Sequence, residues 1–358
     1  MTIQEWGTAI FLDRANDSHI HSLLIRRNVW GIWLNNSRET EIDDCTIEDS
    51  WQQAITIQRS QYISIHHNVI RNTTTDYFDS GIRALNMQNS KIYKNLLSYC
   101  FGGISVSQSY ENNVSDNILY KSGGIHLYNC NSNIITNNSI YDCIHDGIYL
   151  DDSSIINISY NTIKQSMSRG IAIETSHRNY ISNNKITNNA GYGIHIDSSL
   201  WNEIINNTLI NDGLFISGWS ENHTLVDNTV NGKPLLYMKN AENVTLAANF
   251  GQVILENCEK ISIVNLTISN TDVGILMRSC REMEIRDCVL SNITYAIYAG
   301  INESIVRRCA MKGNFYGVYM VGSYNEMTDC MLSNNTYAIF AITDGSLIGQ
   351  CTISKNVY

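Results

Sequence analysis

The sequence predicts an all-β fold, a single-stranded parallel β-helix (solenoid) of about 16 coils of roughly 22 residues each. Three observations predict it. A small residue followed by alternating apolar residues recurs along the whole chain, most clearly at Gly31, Gly103, Gly124, Gly147, Gly170 and Gly193. A second motif, Asn followed by x-Ile or x-Leu, comes later in each coil, as at Asn117, Asn138, Asn161, Asn184 and Asn207. Between these two strand-like segments the residues are polar and turn-forming.

Taken in order, the first coils start at Ala9, Gly31, Ala54 and Gly81, and the regular Gly-initiated series runs to Gly193. Later copies start at Gly213, Pro234, Gly274, Ala296, Gly317 and Ala338. Most spacings are 20 to 23 residues. The coil from Ala54 to Gly81 is longer and inserts a segment containing Asp76, Tyr77, Phe78 and Asp79 beside Arg83. The Leu-x-x-Leu-x-Leu signature and helical half of a leucine-rich repeat are absent. The chain is expected to form one domain over residues 1–358, with a groove within 76–217 and an apolar, interface-like face within 215–342.

The recurring Asn is expected to stack from coil to coil, each side chain bonding its neighbour and the turn backbone. Cys288, Cys309, Cys330 and Cys351 are 21 residues apart and occupy the same position, as does Cys45 near the start. With ten cysteines and no CxxC pair, a row of buried free thiols is expected rather than a disulfide or zinc framework.

Composition excludes several classes. Only 16% of residues are charged, net charge is −10, and no Lys/Arg-rich segment offers a nucleic-acid surface. No run of about 18 apolar residues exists to span a membrane as a helix. The first 15 residues include Glu5, Asp13 and Arg14 and do not read as a signal peptide.

Strand alternation then assigns outward residues. If Ile148 and Leu150 face the core, one outward row reads Trp33, Thr56, Arg83, Ser105, His126, Tyr149, Ala172, His195, Phe215. The second reads Asn35, Gln58, Leu85, Ser107, Tyr128, Asp151, Glu174, Asp197, Ser217. Asp151, Glu174 and Asp197 should stack about 5 Å apart, where like charges repel unless a proton or a cation intervenes. A Ca2+ ion is the one cofactor these three carboxylates suggest. Used instead as acid and base, Asp151 and Glu174 would hydrolyse a glycosidic bond. His126 and Tyr149 are adjacent and are candidates for taking a proton beside a carboxylate, with Arg83 neutralising it. Tyr77, Asp79, Arg83, Tyr128, Arg169 and His195 are the expected substrate-binding residues.

The C-terminal outward rows are mostly apolar: Phe215, Leu236, Met238, Leu276, Arg278, Tyr298, Tyr319, Val321, Phe340 and Ile342. Such a stripe suggests an interface, either between copies of the chain or with a segment of a larger parent protein. The last residues, Asn356-Val357-Tyr358, end in register for a further coil.

These coils resemble the right-handed, pectate-lyase-like β-helix superfamily. The run Asn228-Thr-Val-Asn-Gly-Lys-Pro-Leu-Leu-Tyr237 and then Gly251-Gln-Val-Ile-Leu-Glu-Asn-Cys258 resembles the carbohydrate-binding and sugar-hydrolysis repeat proteins of the NosD type. The resemblance implies an extracellular or cell-surface protein acting on a polysaccharide, as lyase, epimerase or glycoside hydrolase. Asp151-Asp152 lacks the Gly-His-Gly that accompanies it in polygalacturonases. The alternative is a non-catalytic structural or adhesive module that self-associates through its C-terminal apolar face.

Overall fold

The structure, a computed structural model, describes residues 1–5, 7–73 and 81–358. Among these the regular elements are strands only, arranged as a parallel β-solenoid of about 16 coils of about 22 residues. The chain divides into two compact units, Met1–Asn207 with Ile216–Thr224, and Thr208–Phe215 with Leu225–Tyr358.

In the first unit a coil comprises three short strands. Ile148–Asp151, Asn157–Ser159 and Thr162–Lys164 form one coil, and Ile171–Glu174, Tyr180–Ser182 and Lys185–Thr187 the next. They pair in parallel without slippage, Ile148 on Ile171, Ile158 on Ile181 and Ile163 on Ile186. Those isoleucines are fully buried and make the core. Turns between the strands use left-handed residues such as Asn137, Asp142, Asn183 and Asn188, whose short polar side chains tolerate positive φ. Coils approach so closely at their start that a Cβ on Gly124 would lie 2.1 Å from the carbonyl oxygens of Asp146 and Gly147. That contact explains the recurring Gly.

The asparagine ladder runs through Asn95, Asn117, Asn138, Asn161, Asn184 and Asn207. Each Nδ2 donates to the next Oδ1 at 3.0 Å. From Asn117 to Asn184, Nδ2 also donates at 2.9 Å to a carbonyl of the preceding coil. Serines make a second ladder, with Ser153, Ser176 and Ser199 each donating a backbone N–H to the hydroxyl of the following coil. These side chains satisfy buried backbone groups that the strands leave over.

The second unit uses thiols in the same role. Cys288, Cys309 and Cys330 each donate to the carbonyl two residues back and to one on the preceding coil. The Cys309 N–H in turn donates to Cys330 Sγ at 3.5 Å. All ten cysteines are free thiols, and nine are buried. The unit also holds an antiparallel hairpin, Thr229 on Pro234 and Val230 on Lys233. Asn231 and Gly232 turn it with φ of 51° and 74°, as a two-residue Asn-Gly turn requires.

The C-terminal stripe differs from expectation in its first part. Leu276 is fully buried and Phe215 nearly so, with Phe215 stacked on Tyr295 at 5.9 Å. Only Val321, Phe340 and Ile342 of the stripe are exposed.

Asn161→Ala removes the partner of several buried groups at once. Denaturant unfolding should show a loss of about 3 kcal/mol. Asn161→Cys should lose clearly less, because cysteine makes the equivalent bonds at Cys288 and Cys309.

Candidate functional site

The outward carboxylate row forms as the alternation predicts. Tyr128 pairs with Asp151, Asp151 with Glu174, and Glu174 with Asp197, on strands of successive coils. Arg169, in the turn one residue ahead of Gly170, supplies positive charge to this row, and Asp146 holds the equivalent position one residue ahead of Gly147. Arg169 donates Nε and Nη2 to Asp146 at 3.0 and 2.8 Å, and Nη1 to Glu174 at 2.6 Å. Its backbone N–H also reaches Asp146, at 2.8 Å. The guanidinium stays charged, its pKa raised by the two carboxylates against the opposing effect of burial. Asp146 is held below the usual carboxylate range, the Arg169 bonds outweighing burial.

Hydrogen bonds extend this cluster over four coils. Tyr149 donates its hydroxyl to Glu174 at 2.9 Å. Arg169 Nη1 lies 2.9 Å from His195 Nδ1, so that nitrogen accepts. The ring proton therefore sits on Nε2 and is donated to Ser217 Oγ at 2.9 Å, and Ser217 donates to Asp197 at 2.6 Å. Asp151 accepts from Thr175 Oγ1 at 3.1 Å. Burial lowers the His195 pKa, and Arg169 lowers it further, so the ring is neutral at pH 7.

Three of the expected roles meet constraints in the structure. His126 is 6% exposed, enclosed by His145, Tyr128 and Tyr149 within 6.4 Å between ring centroids, which leaves little of the ring open to a polymer. Tyr149 is unsuited to deprotonation, because burial and then Glu174 push its phenol far above the usual range. Of Asp151, Glu174 and Asp197, the last two are engaged as described, and among the described residues no group of three or more His, Cys, Asp or Glu is gathered as a metal site. Arg83 lies in the same outward row two coils before His126, about 10 Å away, and does not join the cluster. Tyr77 and Asp79 lie outside the described residues.

Asp146 and Ser217 complete the network; the sequence places Asp146 just before its strand and Ser217 in the second outward row but assigns neither a role. The signal for Asp146 is its charge opposite Arg169 at the same turn position of adjacent coils. Ser217 follows Asp197 in the second outward row.

A family model described as periplasmic copper-binding protein (NosD) matches residues 2–80 and 64–216, more than half of the chain. One described as right handed β-helix region matches residues 236–358. No curated protein matches. Among solved structures, a variant of the periplasmic alginate epimerase AlgG is similar at 15% identity and TM-score 0.42, over 94% of this chain and 77% of its own. DFA-IIIase from Arthrobacter chlorophenolicus A6 is similar at 15% identity and TM-score 0.42, over 64% and 67%. The enzymatically active domain of bacteriophage CBA120 tailspike protein 2 is similar at 12% identity and TM-score 0.37, over 79% and 43%.

The buried imidazole makes stability depend on pH. Burial pulls the pKa of His126 from 6.5 to about 4, so between these values the unfolded chain binds the proton and the folded one does not. His126 thus contributes its full stability above pH 6.5, and about 3 kcal/mol of it is lost by pH 4. His145 and His195 are shifted in the same direction. Denaturant midpoints measured from pH 7 to pH 4 should fall, and His126→Leu should flatten the decline.

Proposed function

The chain belongs to the NosD family, and from that premise we propose that its first unit is a polysaccharide-binding β-helix. The outward face of the strands from Ile125–Tyr128 to Ile194–Asp197 holds a hydroxyl-rich stretch of glycan. One observation carries this reading: the Tyr149–Glu174–Arg169–His195 network. A half-buried charged cluster on an outward face costs desolvation, and the Asn and Ser ladders already hold the coils together. It fixes the side chains around it before any ligand arrives, which lowers the cost of binding. Tyr128, Asp151 and Thr175 then offer an aromatic ring and polar groups to sugar hydroxyls.

The arrangement suits holding a polymer better than transforming it. Arg169 spends four of its five N–H donors within the protein, so it has little left to neutralise a substrate carboxylate. Four carboxylates, Asp146, Asp151, Glu174 and Asp197, surround one guanidinium, and a neutral glycan fits that balance better than an acidic one.

The family description names copper, and the described residues do not fit that ion. The imidazoles nearest to carboxylates are already paired, His19 Nε2 with Asp43 at 2.5 Å and His66 Nε2 with Glu41 at 2.6 Å. The thiols of Cys288, Cys309 and Cys330 are spent on backbone carbonyls, and Met277, Met283, Met311, Met320 and Met327 are sealed in the core. The family description also names the periplasm. A location outside the cytoplasm accords with thiols too deeply buried to be oxidised.

Titration calorimetry against neutral polysaccharides tests the reading. Asp151→Asn combined with Glu174→Gln should weaken binding about tenfold or more while circular dichroism is unchanged. Equal affinity in the variant, or no binding by the wild type, defeats the proposal. Polymer cleavage by the wild type that the variant loses would replace binding with catalysis.

A further inference from the structure

A second cavity lies on the first coils of the same unit. Its floor follows from residue size in the outward row. Trp33, Thr56 and Arg83 pair in register on three consecutive coils, so a small side chain stands between two large ones. Neighbouring coils are about 4.8 Å apart, which sets the Trp33 and Arg83 backbones about 10 Å apart with a cleft between their side chains. The turns close it with Trp30, Gln52 and Gln53, and the second row adds Gln58 and Leu85. The result is a cavity of about 240 Å³.

Its lining has four properties that together define a ligand. The indoles of Trp30 and Trp33 stand 5.9 Å apart, tilted by 46°, and Phe11 packs edge-on against Trp33 at 5.3 Å. Trp30 Nε1 donates to Gln53 Oε1 at 2.9 Å and so fixes that amide. The Trp33 Nε1 proton and the Thr56 hydroxyl are buried without a hydrogen-bond partner among the described residues, a costly state that a bound acceptor relieves once these side chains turn towards it. Among the described residues Arg83 makes no ion pair, whereas Arg169 and Arg71 in the same unit do.

We infer that this cavity binds a single anionic pyranose unit, a sugar carrying a carboxylate or a sulfate. The indoles take the apolar face of the ring, Arg83 takes the anion, and Gln52, Gln58 and Thr56 take hydroxyls. Volume limits the ligand to one unit, since sites for larger ligands usually measure about 300–1,000 Å³. A guanidinium without an ion pair among the described residues distinguishes this cavity from the acidic central face, where Asp146 and Glu174 consume the Arg169 charge. One chain thereby offers an anionic-sugar subsite and a neutral stretch some coils further on.

The test uses the whole chain and three probes: D-galacturonate, D-galactose 6-sulfate and D-galactose. Calorimetry should detect at least one of the two anions and a weaker response, by about tenfold or more, to galactose. The stronger of the two anions identifies the charged group. Arg83→Gln should weaken the anionic sugar by a similar factor and leave neutral polysaccharide binding at wild-type strength. Trp33→Phe should remove the change in tryptophan emission on binding. The inference is overturned if galactose binds as well as the anions, if Arg83→Gln binds them unchanged, or if none binds. Anionic-sugar binding that depends on Arg83, without any neutral polysaccharide binding, would sustain the cavity and defeat the central face.

Discussion

Everything in this protein depends on coils stacking in register at the spacing of a hydrogen-bonded sheet. Strand pairing alone does not enforce that register, because a three-residue strand makes few bonds. The Asn ladder supplies the remainder. Each Asn161-type side chain bonds the coil before, its own turn and the coil after, so a slip of one residue would strand several buried polar groups together. Cysteine takes the position in the second unit because a thiol also donates to the same pair of carbonyls. Packing there is correspondingly richer in Met and Cys.

Register also makes outward chemistry a matter of columns. Identical positions on successive coils lie side by side, so a column of carboxylates must be answered within its own neighbourhood. The answer recurs. In the second unit Arg278 donates to Glu256 at 2.7 Å and Tyr237 gives Glu256 its hydroxyl at 2.7 Å, the same Tyr–Glu–Arg trio as Tyr149, Glu174 and Arg169. Arg281 with Glu259 and Arg308 with Asp287 repeat the charge pairing on other faces. A Tyr–Glu–Arg trio is therefore a structural device of this solenoid. What sets the first unit apart is its continuation through Asp146, His195, Ser217 and Asp197, which links four coils and both outward rows.

The alternation of apolar residues made the fold and both outward rows legible. It identified the Asp151–Glu174–Asp197 column in its true register and the thiol row in its true place. It could not reveal that His126 is covered. Outward direction is a property of the strand, whereas exposure depends on the rings of Tyr128, His145 and Tyr149 closing above it. Leu276 escaped for the same reason. The pairing of Asp146 with Arg169 was hidden because both sit in turns, where period-two alternation assigns no direction. Only comparison of equivalent turn positions across coils exposes their opposite charges.

The aromatic residues of the second unit show how the coil spacing governs surface chemistry. Tyr295, Tyr316, Tyr337 and Tyr358 stack face to face at 4.9, 4.9 and 5.0 Å. Tyr298, Tyr319 and Phe340 make a parallel column at 4.8 and 4.9 Å, edge-on to the first. Ring spacing equals coil spacing, so each face is occupied by the ring of the next coil. A sugar needs an open face, and within such a column only the edges remain. In the first coils the order is reversed. Thr56 interrupts the aromatic row after Trp33, and the missing ring is what leaves an indole face and a cavity open.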